Sequence, residues 1–89
     1  MSIRIHIPIF YRSESDEEEL LVDDCHTVTE CLGVLLVHYP ELEKMLYDGR
    51  RKLQSWVGIY LNGVDAFPRE LERPVKDGDE IRMFLYLSV

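Results

Sequence analysis

Disulfide crosslinks are not what holds this chain together. It has only two cysteines in 89 residues, Cys25 and Cys31, and structural disulfides are rare in the reducing setting expected below. It also lacks any uninterrupted apolar run of about 18 residues, the length that signals a membrane-spanning helix, so no membrane partner is expected. The opening residues Met1-Ser2-Ile3-Arg4-Ile5 alternate and carry no signal-peptide core, and a cytoplasmic setting is the resulting expectation. Glycine is sparse and never doubled. Gly58, Gly63 and Gly78 stand alone, each explained by a strand or a turn, so no phosphate-cradling loop is present. There is no Ser/His/Asp signature and no paired-carboxylate motif. No catalytic residue is assigned, no cofactor is expected, and the chain is not read as an enzyme. Positive charge is also short: 10 Lys and Arg against 17 Asp and Glu leave a net charge of −7. The excess lies in residues 1–45, with ten acids and three bases, whereas 46–89 hold seven of each. Such a chain repels phosphate backbones, so nucleic acid is not expected as a partner. A basic patch on a larger protein suits it better, because complementary fields speed association.

What is present suits one small domain spanning 1–89. With 46% hydrophobic residues and nine aromatics, a chain of this length can bury one core without a metal or disulfide staple. Residues 3–10 place Ile3, Ile5, Ile7 and Ile9 on one face and Arg4, His6, Pro8 and Phe10 on the other, the period of a half-buried strand. Pro8 cannot donate to a ladder, so pairing should end near it. An acidic loop, Ser13 to Glu19, leads to a short second strand at Leu20-Leu21-Val22. Thr27-Val28-Thr29-Glu30 fits a capping box with Thr27 as N-cap. Val28, Cys31, Leu32, Leu35, Leu36 and Tyr39 then form one apolar stripe, predicting a helix near 28–38 that Pro40 stops. Leu42, Met45 and Leu46 suggest a short further turn or helix closed by Gly49. Trp56 to Leu61 reads as a third strand, followed by the turn signal Asn62-Gly63. Lys76-Asp77-Gly78-Asp79 is another turn, and Glu80 to about Leu87 is the last strand. One helix covers one sheet face, so the expected fold class is α+β, a mixed sheet of four or five strands with one main helix on one side. The first and last strands should be parallel neighbours, with the helix in the crossover.

Three short sequences carry a resemblance. Tyr39-Pro40-Glu41-Leu42 follows the helix, Leu61-Asn62-Gly63 follows the third strand, and Asp77-Gly78-Asp79-Glu80-Ile81 leads into the last, ahead of the closing residues Arg82 to Val89. In this order and spacing they resemble the MoaD/ThiS family over nearly the whole chain. The resemblance implies a ubiquitin-like β-grasp fold and a place in molybdopterin-, tungstopterin- or thiamine-type sulfur transfer. It also implies docking on a larger protein, either an adenylating enzyme or a cofactor-synthesis subunit. Family members end in Gly-Gly, whose carboxylate is adenylated and thiolated after the tail threads a narrow channel. Here the tail Leu87-Ser88-Val89 departs from that pattern. Val89 stands where the first glycine would be, and it is β-branched and stiff at χ1 where glycine tolerates φ > 0. The expectation is therefore docking without efficient covalent activation of a polypeptide ending at Val89. The alternative functions are an active carrier or modifier activated at its C-terminal carboxylate, and an oligomeric subunit assembling through its sheet.

The candidate contact residues come from strand parity. Ile81, Met83, Leu85 and Leu87 should point inward on the last strand, and Val57, Ile59 and Leu61 on the third. That leaves Tyr60, Arg82, Phe84, Tyr86 and His6 on the opposite face, flanked by Arg4. An exposed aromatic cluster with a polar rim often marks a binding surface, although cross-strand aromatic pairing would also explain it. Cys25-His26 and Cys31 invite a metal reading, but zinc needs four ligands, or three and a water. Cys31 falls on the buried helix stripe and Cys25 reads as a surface or half-buried thiol, so no metal site is assigned. Arg50-Arg51-Lys52 reads as a solvated basic loop, with a partner or anion contact as the alternative.

Overall fold

A computed structural model describes residues 2–6, 19–50 and 52–85, with the side chain of Leu85 excepted. Its strands are β1 (Ile3–His6), β2 (Glu19–Val22), β3 (Val57–Leu61), β4 (Val64–Asp65) and β5 (Glu80–Leu85). Its helices are α1 (Val28–His38) and the short α2 (Glu43–Leu46), the latter entered through a 3-10 turn at Pro40–Leu42. A second 3-10 turn spans Glu70–Glu72. The five strands form one mixed sheet in the order β2-β1-β5-β3-β4. The central pair β1–β5 is parallel and the other pairs are antiparallel. This is the expected ubiquitin-like β-grasp arrangement.

Helix α1 starts as its sequence dictates. Thr27 is extended and its Oγ1 accepts the Glu30 N–H at 3.2 Å. The carboxylate of Glu30 reaches back to the N–H of His26 at 2.7 Å, one residue earlier than a reciprocal box would place it. The helix ends at Tyr39, whose N–H donates to the Leu35 carbonyl, and Pro40 cannot continue it. Val28, Cys31, Leu32 and Leu35 are buried against Ile3 and Ile5 of β1, Ile59 of β3 and Ile81 and Met83 of β5. Leu42 and Leu46 are fully buried members of this core. The short turn or helix expected after Pro40 therefore contributes to the core.

Several boundaries differ from the sequence reading. Trp56 sits in a turn and is partly exposed, because β3 begins only at Val57. The two-residue β4 follows Asn62-Gly63, where both residues have positive φ (54° and 83°), the geometry of a tight hairpin turn. Ile7, Pro8, Ile9 and Phe10 lie outside the described residues, as do Tyr86, Leu87, Ser88 and Val89. Cys25 is corrected outright: it is buried rather than at the surface, packed beneath the start of α1 with its thiol directed at the Asp23 carbonyl at 3.5 Å.

Candidate functional site: the face of the sheet away from the helix

Helix α1 packs on one face of the sheet, and strand parity sends every second side chain to the other. The pairings fix where those residues meet. Arg4 lies opposite Leu21 on β2 and beside Glu80 on β5. His6 lies opposite Glu19. Arg82 pairs with Tyr60, and Phe84 with Gly58. The face therefore has an aromatic end on β5 and β3 and a charged end on β2, β1 and β5.

At the aromatic end the rings of Tyr60 and Phe84 meet edge to face, with centroids 5.0 Å apart and planes at 80°. Such a contact is favourable beyond its buried area. It is a diagonal pair, because Phe84 stands opposite Gly58, which offers no side chain to hold it down. Phe84 remains 43% exposed. Of the sequence-derived contact residues, Tyr60, Arg82 and Phe84 are thus brought together on one surface, and Tyr86 lies outside the described residues.

At the charged end the expectation for His6 is corrected. It projects to this face as parity requires, but it is buried at 7% exposure instead of standing free. The reason is cross-strand crowding. Its Nε2 lies 2.5 Å from a Glu80 carboxylate oxygen and 3.7 Å from one of Glu19. Those two side chains close over the ring from β5 and β2. Arg4 approaches Glu19 and Arg82 approaches Glu80, each at 3.9 Å. The hydrogen bond with His6 is the main influence holding the Glu80 carboxyl below its ordinary range. Partial burial opposes this, and Arg82 and Arg4 reinforce it. Sequence reading missed Glu19 and Glu80. Glu80 was visible as the first residue of the last strand, with the outward parity of Arg82, but its meeting with His6 depends on the register of a parallel pair 74 residues apart.

The backbone beneath this end is braced. Asn62 Nδ2 donates to Asp79 at 3.0 Å, the Glu80 N–H donates to Asn62 Oδ1 at 2.9 Å, and the Asn62 N–H donates to the Glu80 carbonyl at 2.8 Å. Burial alone would raise the Asp79 carboxyl, yet hydrogen bonds from Asn62 and the Lys76 N–H hold it below its ordinary value. Gly78, at φ 89°, donates to the Ser2 carbonyl, and the Arg4 N–H donates to the Asp79 carbonyl. The Asp-Gly-Asp-Glu turn thereby fastens the start of β1 to the start of β5.

The family model described as the ThiS family matches residues 5–87. The chain belongs to the ThiS family. Solved structures agree on the fold of this ThiS-family protein. SAMP1 from Haloferax volcanii superposes with a TM-score of 0.78 at 23% identity, covering 100% of this chain and 99% of that one. CysO from Mycobacterium tuberculosis gives 0.77 at 22%, covering 96% and 99%. The BexX/CysO complex of Amycolatopsis orientalis gives 0.78 at 22%, with 98% of each chain covered. Among curated proteins none matches this sequence.

The two cysteines contribute to the core of this ThiS-family fold. Burial, aided by a hydrogen bond with Cys25, pushes the Cys31 thiol up to about 12. At neutral pH it is a neutral packing group, neither a nucleophile nor a ready thiolate ligand.

Proposed function

We propose that this ThiS-family protein works by docking the open face of its sheet on a larger protein in sulfur transfer or in molybdopterin-, tungstopterin- or thiamine-type cofactor synthesis. The supporting observation is the partly exposed Tyr60–Phe84 pair beside Arg82 on the face that α1 leaves uncovered. Aromatic and arginine side chains are the residue types that most often anchor interfaces. The partner would be an adenylating enzyme or a cofactor-assembly subunit. A neighbouring fold solved as a complex, CysO with BexX, supports a protein partner. On this reading the protein is at most a co-substrate, acts in the cytoplasm, and needs neither nucleic acid nor membrane. The test is binding of the chain to such an enzyme with and without Phe84→Ala, where loss of affinity supports docking through this face and unchanged affinity removes it.

A carrier or modifier reading draws support from a neighbour of the same fold described as small archaeal modifier protein 1. The two readings part on what happens at the C-terminal carboxylate. A polypeptide ending in Ser88-Val89 presents a β-branched residue to any channel shaped for glycine, so adenylation or thiolation there should be poor. Incubation with ATP, a sulfur donor and the activating enzyme, followed by intact-mass measurement, distinguishes them. Efficient exchange of one carboxylate oxygen for sulfur at Val89 makes the carrier reading correct.

A further inference from the structure

His6, Glu19 and Glu80 come from three adjacent strands and converge on a single point. One ligand atom from each, an imidazole nitrogen and two carboxylate oxygens, lies within 4.8 Å of the others. We propose that these three residues form a weak binding site for a divalent transition cation of the zinc type. One hydrogen bond from His6 does not serve both carboxylates, although Arg4 also pairs with Glu19 at 3.9 Å. A neutral imidazole carries at most one proton on Nε2, which serves one acceptor, yet two carboxylates from different strands face that nitrogen at 2.5 and 3.7 Å. The ring is nine-tenths buried, with 9% of its side chain exposed. Among the described residues its Nδ1 has no hydrogen-bond partner. Among the described residues the ring's polar contacts run through Nε2, to Glu80 at 2.5 Å and to Glu19 at 3.7 Å.

Zinc binds imidazole nitrogen at about 2.0–2.1 Å and carboxylate oxygen at about 2.0–2.2 Å, and accepts three protein ligands with water in the fourth position. A cation seated between the three atoms would take the place of the shared proton. The Nε2–Glu80 contact would open and Glu19 would draw in. Glu19 is on the edge strand with 38% of its side chain exposed, so it can move and water can enter. The imidazole sets the class of ion, because magnesium and calcium take oxygen ligands almost entirely.

Two features keep the affinity low. Arg4 and Arg82 each stand 3.9 Å from one of the carboxylates and offset the negative charge that would attract a cation. No described residue accepts a hydrogen bond from Nδ1, the outer contact that normally strengthens a metal-bound histidine. Asn62 holds the Glu80 backbone, and Leu21 neighbours Arg4 across the β1–β2 pair.

The probe is the metal itself. Zinc is titrated into the purified protein by calorimetry, and cobalt is followed by its visible absorption. The expected result is one saturable equivalent of zinc that magnesium does not displace. His6→Gln and Glu80→Gln should each weaken it by roughly tenfold or more. Glu19→Gln, on a half-exposed side chain, should weaken it while leaving the far-UV circular dichroism unchanged, which keeps the test decisive if His6→Gln fails to fold. His26 and His38 are exposed imidazoles on α1 and its approach, so His26→Gln/His38→Gln is the control and should bind as the parent does. The proposal is overturned if no saturable binding appears at millimolar zinc. It is overturned equally if binding survives Glu19→Gln and Glu80→Gln undiminished, or vanishes in the His26/His38 control.

Discussion

Leu35 shows how a single residue carries both a local and a global role here. It lies on the buried stripe of α1, is fully buried, and its carbonyl accepts the N–H of Tyr39 at the helix end. Leu35→Ala keeps that backbone bond and removes only the packing, so the expected cost is about 2–5 kcal/mol, read from urea denaturation midpoints. Cys25 and Cys31 are a second case. Because both thiols are buried and Cys31 is held protonated by its surroundings, neither should react with a thiol-modifying disulfide reagent in the native state. Both should react fully in denaturant. Rapid native labelling of either would mean that the start of α1 opens far more readily than its packing implies. His6 makes the contrasting point. Its position on the outer face was legible from strand parity, but its burial was not. Parity says which way a side chain points and nothing about which neighbours lean over it.

At the scale of elements, what could be read from the sequence was what depends on near neighbours. The alternation of Ile3 and Ile5, the stripe from Val28 to Tyr39, the Thr27 cap and the Asn62-Gly63 turn each follow from spacings of a few residues, and all appear as expected. The charged end of the sheet required two long-range registers. One joins β1 to β2 across residues 7–18 and the other joins β1 to β5 across most of the chain, and no local pattern specifies either. Thr27→Ala should cost about 0.5–2 kcal/mol by leaving the Glu30 N–H without its cap, and thermal melts will show it. The connection after α2 gives a pH-dependent counterpart. Asp48 Oδ1 accepts the N–H groups of Arg50 at 2.7 Å and Lys52 at 3.1 Å. These bonds, from Lys52 first and then Arg50, hold its carboxyl below the ordinary 3.8. A carboxylate whose pKa is lower folded than unfolded stabilises the native state fully above its unfolded value, and that contribution disappears as pH falls through the folded one. The stability difference between the parent and Asp48→Ala should therefore be constant well above pH 3.8 and shrink below it. A difference that grows on acidification would contradict this sign.

For the whole molecule, the proposed docking implies a division of labour between contact and attraction. Its net charge is −7, so a basic partner would be drawn in at long range. The aromatic end of the sheet would then supply short-range anchoring, with Phe84 held against Tyr60 rather than packed into the core. These contributions respond differently to conditions. Raising ionic strength screens charges separated by more than about 10 Å at 0.1 M salt, so the association rate should fall with salt. Phe84→Ala and Tyr60→Ala should act mainly on dissociation, and a true anchor is expected to cost at least ~2 kcal/mol of binding. Because Phe84 is partly exposed, its truncation should leave folding stability much less affected than Leu35→Ala. That ratio is the decisive measurement. If Phe84→Ala lowers stability as much as Leu35→Ala and leaves partner affinity unchanged, the aromatic pair is a piece of sheet packing and the docking face lies elsewhere. If it instead changes the sedimentation behaviour of the isolated chain, the same surface joins copies of this protein, and the oligomeric reading replaces the partner one.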